Sequence, residues 1–246
     1  MRISISCYPT HGGSGVVATE LGLRLAQRGH SVAFVSYAAP LRLGELPPRV
    51  CFHEVAEEEY PLLKQFPYTL ALASKLAEVA RSHRLRILHV HYAIPFAAAA
   101  ILAKQIAPEL NLKVVTTLHG TDITLVGSND SFHPVTAFCI EHSDAVTAVS
   151  HALRAETDRV FGVIRPIEVI SNFVDPVDYL KARPAIWPGD DEVGTKGKRE
   201  PTMIHISNYR PVKRSIDVIK VFARVLASMP ARLLLIGDGP DLGQVT

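Results

Sequence analysis

Residues 7–21, CYPTHGGSGVVATEL, join a short apolar strand to a helix through a glycine-rich turn, and this join constrains the fold more than any other stretch. A strand that passes through glycines straight into a helix opens a strand–helix–strand unit. Such a turn leaves backbone N–H groups at a helix N-terminus, where unpaired donors and the macrodipole favour an anion. Gly12, Gly13 and the amides after them are therefore candidates for holding a diphosphate. Read mechanically, Gly13-Ser14-Gly15-Val16-Val17-Ala18 also satisfies the dinucleotide fingerprint with Ala in the last place. That fingerprint needs an acidic residue about 20 positions on, at the end of the second strand. The second strand, 31–36, exits through Tyr37-Ala38-Ala39-Pro40 without Asp or Glu, which counts against an NAD(P)-binding oxidoreductase.

The alternation continues along the chain. Apolar runs predict strands at 2–7, 31–36, 50–55, 87–91, 113–119, 145–149 and 167–170, with helices at 16–28, 69–83, 95–106, 134–142 and 151–161. Gly29 follows the first helix as a stop, Pro95 and Pro134 suit first-turn positions, and Ser150 suits an N-cap. Repeated right-handed units of this kind give an α/β fold, a Rossmann-like doubly wound parallel sheet that binds ligands at the carboxyl ends of its strands. After Asn172 the composition changes, and 173–200 reads as a solvated linker rich in proline, glycine and mixed charge. The alternation then restarts with a strand at 202–207, a helix at 212–228 and a strand at 231–237 that ends in Gly237-Asp238-Gly239-Pro240. The expected organisation is an N-terminal domain over 1–172, a linker over 173–200 and, over 201–246, the start of a second Rossmann-like domain. One such unit is too little to bury a core of its own, so this second domain is read as truncated.

Composition narrows the function. At 48% hydrophobic and 20% charged residues over 246 positions, the chain reads as an ordinary soluble globular protein. Net charge is +2 with Lys and Arg dispersed, which argues against nucleic acid as a partner. No apolar run approaches the ~18 residues of a membrane span, and 1–7 alternates like a strand instead of a signal sequence. Cys7, Cys51 and Cys139 are odd in number and widely spaced, as expected of reduced thiols in a cytoplasm. A homo-oligomer is left open.

The candidate chemistry lies at the predicted strand ends. His89-Val90-His91 puts two imidazoles on one face of the fourth strand, and the fifth ends in Leu118-His119-Gly120-Thr121-Asp122. For His89 the plain reading is a side chain that satisfies a backbone carbonyl. His119, in a loop of Gly, Thr and Asp, reads as functional. A zinc site of His89, His91 and His119 would lack a Cys or carboxylate at ligand spacing, so no metal is expected.

The segments CYPTHGGSGVVATELG, ILHVHYAIP, TTLHGTDITLVG, HPVTAFCIEHSDAVTAVS, VISNFVDP and HISNYRPVKR resemble those of the family 4 glycosyltransferases of the GT-B fold. HVHYAIP and LHGTDIT together resemble most closely the branch that acts on L-malate in bacillithiol biosynthesis. The resemblance runs from the first strand to Pro240, apart from the linker. It implies transfer of N-acetylglucosamine from UDP-N-acetylglucosamine to the hydroxyl of L-malate with retention, the departing phosphate serving as base and no divalent ion or other cofactor taking part. His119 would contact the sugar near the reacting carbon, and Lys213 with Arg210 would neutralise the leaving diphosphate. A Lys at the start of a helix is electrostatically misplaced for stability, which independently favours an anion there. Gly12, Gly13, Asn208 and Asp122 fall on the donor side, Asp122 by orienting its loop. Ser14, Tyr92 and Thr121 sit on loops able to donate to the carboxylates of the acceptor, and Arg154 is the remaining candidate cation. The family also carries, later in the second domain, two glutamates about seven residues apart that bind the donor sugar and ribose; they would fall beyond Thr246. The chain as given is thus expected to hold the acceptor and phosphate half of a site and to be inactive alone. A non-catalytic fragment that binds a small anion is the competing reading.

Overall fold

A computed structural model describes residues 1–10, 12–56, 66–126, 129–176 and 200–245. The chain divides into two compact units, Met1–Asp175 and Pro176–Thr246. Of the predicted linker, residues 177–199 lie outside the described residues.

The first unit is a parallel sheet of seven strands in the order β3-β2-β1-β4-β5-β6-β7. In chain order its elements are β1 (Arg2–Ser6), α1 (Gly13–Gln27), β2 (Ser31–Ser36), β3 (Val50–Glu54), α2 (Tyr68–His83), β4 (Ile87–His91), α3 (Ala98–Ile106), β5 (Lys113–Leu118), α4 (His133–His142), β6 (Ala145–Ala148), α5 (His151–Phe161) and β7 (Ile167–Val169). The predicted strands fall within one residue of these bounds. The order reverses between β1 and β4, so the loops that follow those two strands diverge and leave a crevice at the carboxyl end of the sheet.

Alternation along the strands builds two cores. Ile3 and Ile5 of β1 and Val32 and Phe34 of β2 pack with Ala18 and Ala26 of α1 on one face. On the other face Ala33, Val35, Leu88, Val90 and Val114 pack with Leu72, Leu76 and Val79 of α2 and the alanines of α3. The spacing of Leu72, Ala73, Leu76, Ala77 and Ala80 is the apolar stripe that makes 68–83 a helix facing the sheet. Gly22 lets α1 lie close to that sheet, because a Cβ there would strike Phe34 and come within 2.9 Å of Ile5 Cδ1. Gly29, at φ 86°, ends α1 with its N–H donating to Ala26 O, and Ser150 caps α5 by accepting from Leu153 N at 3.1 Å.

Two expectations change. The first helix begins at Gly13, three residues earlier than predicted, because Gly13-Ser14-Gly15 forms its first turn instead of the loop before it. The third helix is preceded by an irregular turn over Ala93–Ala97, entered through Tyr92 at φ 88°, so Pro95 lies in that turn and regular helix starts at Ala98.

The second unit contains β8 (Thr202–Ile206), α6 (Ser215–Leu226) and β9 (Arg232–Ile236), with β8 and β9 paired in parallel. Its helix starts at Ser215, so Lys213 closes a short 3₁₀ turn at Pro211–Lys213 rather than opening the helix. Gly237 and Gly239 sit at φ 123° and 152°, with their α-carbons against the carbonyls of Ser207 and Asn208, an approach that a Cβ would block. Apolar side chains stay exposed on both strands, Ile204, Ile206 and Ile236 among them.

Candidate functional site

The carboxyl ends of β1, β4 and β5 gather most of the N-terminal residues singled out from sequence. From β1 the chain passes Cys7 and Tyr8 into α1, whose N-cap is Gly12 with no side-chain capping bond. Gly13 is exposed, and a Cβ there would meet nothing within 4 Å. The steric demand for glycine falls instead on Gly15, where a Cβ would collide with Tyr8 O and lie 3.1 Å from Thr10 O. Ser14 lies inside the helix's first turn and is nearly buried, a correction to its predicted loop position.

Two residues of β4 and the first residue after β5 form a column of three imidazoles. His89 and His91 stack with ring centroids 4.9 Å apart, and His91 and His119 stack at 5.1 Å. His91 Nδ1 and His119 Nε2 share a hydrogen bond of 2.8 Å. His89 Nε2 pairs with Thr117 Oγ1 at 2.8 Å, and Thr117 Oγ1 pairs in turn with Thr147 Oγ1 at 2.8 Å. The partner of His89 is thus a hydroxyl in the next strand and not the backbone carbonyl expected from sequence. Burial is the main reason that His89 and His119 are held down to about 4, each other's proximity adding to it at His119. His91, fully buried between them, lies well below the ordinary histidine range for the same reasons. All three are neutral at pH 7.

Tautomers follow from what each nitrogen meets. Nε2 of His91 is buried with no partner among the described residues. A buried N–H without an acceptor is costlier and rarer than a bare lone pair. His91 therefore carries its proton on Nδ1 and donates to His119 Nε2, which leaves His119 protonated on Nδ1 and presenting that N–H as a donor.

Asp122 fixes the loop that carries His119. Its Oδ1 accepts from Gly120 N at 2.9 Å and His119 N at 3.2 Å, and its Oδ2 accepts from Ala93 N at 3.2 Å. One buried carboxylate thereby ties the loop after β5 to the turn after β4. Burial raises its carboxyl above the usual range while these amide bonds oppose the rise. Gly120, at φ 115°, lets the chain turn sharply enough for the bonds to form. Tyr92 stands against His119 with centroids 5.3 Å apart and edge-on to Tyr8 at 5.3 Å, across the point where the strand order reverses. Thr121 is exposed on the same loop.

Arg154 is not drawn into this group. It lies on α5 with Nε 3.8 Å from Asp158 of the same helix. In the second unit, Asn208 precedes buried Tyr209, while Arg210 and Lys213 are exposed on the turn before α6, with Lys213 N donating to Arg210 O at 2.8 Å. Sequence reasoning gave His91 no role of its own beneath His119 and missed Tyr8, the wall opposite Tyr92. The His-x-His alternation in β4 was the available signal for the first; the second had none beyond its place in the glycine turn.

Residues 11–178 match the family described as Glycosyltransferase Family 4. A Bacillus anthracis protein named N-acetyl-alpha-D-glucosaminyl L-malate synthase is 48% identical over 241 residues, which cover 98% of this chain and 62% of that protein. The chain therefore spans less than two thirds of that relative's length. Among solved structures, a glycosyltransferase from Rickettsia africae superposes with a TM-score of 0.70 at 18% identity, over 99% of this chain and 62% of that one. Anabaena HepE in complex with UDP-glucose superposes with a TM-score of 0.60 at 15% identity, over 100% of this chain and 71% of that one. At such identities these two likenesses show the fold, which is that of GT-B glycosyltransferases.

Proposed function

This chain belongs to glycosyltransferase family 4, and from that membership we propose that the protein it forms transfers N-acetylglucosamine from UDP-N-acetylglucosamine to the hydroxyl of L-malate with retention of configuration. The observation that carries the reading is the neutral His91–His119 pair at the carboxyl end of the sheet, its loop fixed by the buried Asp122. The 48% identical relative, named for a product of N-acetylglucosamine and L-malate, supports the choice of substrates.

Each group has a physical task in that reaction. The first-turn amides at Gly12, Gly13 and Ser14 receive the diphosphate, where the helix dipole favours its charge. His119, neutral and aimed through Nδ1–H, donates to a sugar hydroxyl and fixes the anomeric carbon without adding a cation to the pocket. Tyr92, Thr121 and Ser14 donate to the acceptor's carboxylates. Lys213 and Arg210 of the second unit offset the charge that grows as UDP departs, and Asn208 takes part on the donor side. The leaving phosphate accepts the acceptor's proton, so no side-chain base is needed, and no divalent ion enters the transfer. Cytoplasmic location accords with this chemistry; among the described residues no helix is long and apolar enough to cross a membrane.

The test uses a protein in which this chain is continued to the length of its relative. With UDP-N-acetylglucosamine and L-malate it should release UDP without added metal. Tight NADH binding without transfer would replace the proposal with the oxidoreductase reading. On the 246-residue chain itself, L-malate binding that is lost in Tyr92→Phe and Thr121→Ala would locate the acceptor half.

A further inference from the structure

At the outer edge of the sheet, far along the strand order from the imidazole column, a second cluster of ligating side chains is left unused by the transfer chemistry. Cys51 and His53 alternate along β3, so they share a face of this edge strand, and His83 is the last residue of α2. Cys51 Sγ lies 3.4 Å from His53 Nε2. The rings of His53 and His83 meet edge to face with centroids 4.7 Å apart. One ligand atom from each residue falls within 4.8 Å of the other two. All three are partly buried, and Cys51 and His83 line a cavity of about 400 Å³ whose walls also include Arg2 and Arg49.

We propose that Cys51, His53 and His83 form a binding site for one thiophilic divalent transition-metal ion of the zinc class. A tetrahedral zinc with ordinary bond lengths places sulfur and nitrogen ligands about 3.5 Å apart and two nitrogens about 3.3 Å apart. The Cys51–His53 separation already matches the first figure, and the separations to His83, at most 4.8 Å, would have to shorten on binding. One thiolate and two imidazoles select zinc, cobalt or copper over magnesium or calcium, which prefer oxygen. On binding, the Cys51 thiol gives up its proton to solvent and a sulfur–metal bond replaces the S–H bond. Three protein ligands leave the fourth position to water or to a small anion, and the two arginines in the adjoining wall suit an anion. The other two cysteines do not compete: Cys7 and Cys139 are buried, with exposures of 1% and 0%, and each is pushed up to about 12 by burial. The bound ion would pin β3, which among the described residues has a strand on one side only, to the end of α2. This site is independent of the transferase reading, because it uses none of that reading's residues.

The experiment takes the full 246-residue chain, reduced and freed of metal, and titrates it with Co²⁺ as the probe. The expected result is one equivalent bound, with the near-ultraviolet sulfur-to-cobalt charge-transfer band and the strong visible bands of tetrahedral cobalt, all displaced by Zn²⁺. Cys51→Ser should abolish the charge-transfer band. His53→Gln and His83→Gln should each weaken binding by at least about tenfold, since even residues that only support a metal ligand cost that much. Far-UV circular dichroism of the metal-free variants checks that they fold, and X-ray absorption of the zinc-loaded parent should count one sulfur and three nitrogen or oxygen neighbours. A cobalt spectrum without the thiolate band, a titration indifferent to Cys51→Ser, or no binding at micromolar protein would overturn the proposal.

Discussion

Lowering the pH from 7 to 5 should destabilise the first unit by about 4 kcal/mol through His89 and His119 alone. Both imidazoles fall from an ordinary value of 6.5 to about 4 on folding, chiefly because burial disfavours the charged ring. Between those values the unfolded chain binds protons that the folded chain refuses, so stability rises with pH through the window and is lost as pH falls through it. Each ring then contributes a slope of about 1.4 kcal/mol per pH unit, or about 2 kcal/mol by pH 5. His91, also held well below its ordinary value by burial and its neighbouring imidazoles, adds a third slope of the same sign. Asp122 works in the opposite direction, because burial raises its carboxyl and acid therefore favours its folded form. Asp144, lowered by its bonds to Lys104, Lys113 and the Val114 amide against the opposing effect of burial, loses its contribution only below this window. Urea unfolding followed by far-UV circular dichroism at stepped pH gives the slope, and NMR titration of the ring protons assigns it. His89→Gln should remove about one third of that slope, one proton-refusing ring of three. A stability constant to within about 1 kcal/mol over this range, or any of the three rings titrating near 6.5, would refute the burial argument.

Three further outcomes follow from the same geometry. Gly15→Ala should cost about 1–3 kcal/mol in urea melts because its Cβ meets the Tyr8 carbonyl, whereas Gly13→Ala, open on all sides, should leave the melt unchanged and weaken binding of the nucleotide sugar. Asp122→Ala strips the acceptor from three backbone amides and should lower stability by on the order of 3 kcal/mol; Asp122→Asn, which keeps one acceptor oxygen, should cost less in the same thermal melt. Lys213→Ala in the protein extended to its relative's length should reduce turnover by on the order of a hundredfold with little change in donor binding, read from kcat and KM separately.

The fold was largely legible because each strand is a short apolar run closed by glycine, proline or a polar loop, and those boundaries hold to one residue. Where the reading slipped, tertiary contacts decide. Gly13-Ser14-Gly15 looks like a turn from composition, yet it is helical because the chain must pass close to the Tyr8 carbonyl, which only the missing Cβ at Gly15 permits. Pro95 suits a helix start by its type, and what displaces the helix to Ala98 is the positive φ of Tyr92, which packs its ring against Tyr8 and His119. The sequence pattern puts Lys213 in the first turn of a helix that begins two residues later, after Arg214 adopts a left-handed conformation. Of the site, His119 and Asp122 could be found from their loop, since glycine and acid at that spacing announce a turn. The pairing of His119 with His91 depends on the register of β4 against β5, which no local pattern encodes. The cluster of Cys51, His53 and His83 was invisible for the same reason, as its third member arrives from the end of a helix 30 positions after His53.

The central claim meets its most direct test in the product of one reaction. A protein that continues this chain to the length of its relative, incubated with UDP-N-acetylglucosamine and L-malate in the presence of a chelator, should yield UDP and an α-linked N-acetylglucosaminyl malate in equal amounts, identified by the anomeric coupling in its proton NMR spectrum. Release of free N-acetylglucosamine without the malate conjugate, a β-linked product, or turnover that appears only when a divalent ion is restored would contradict it.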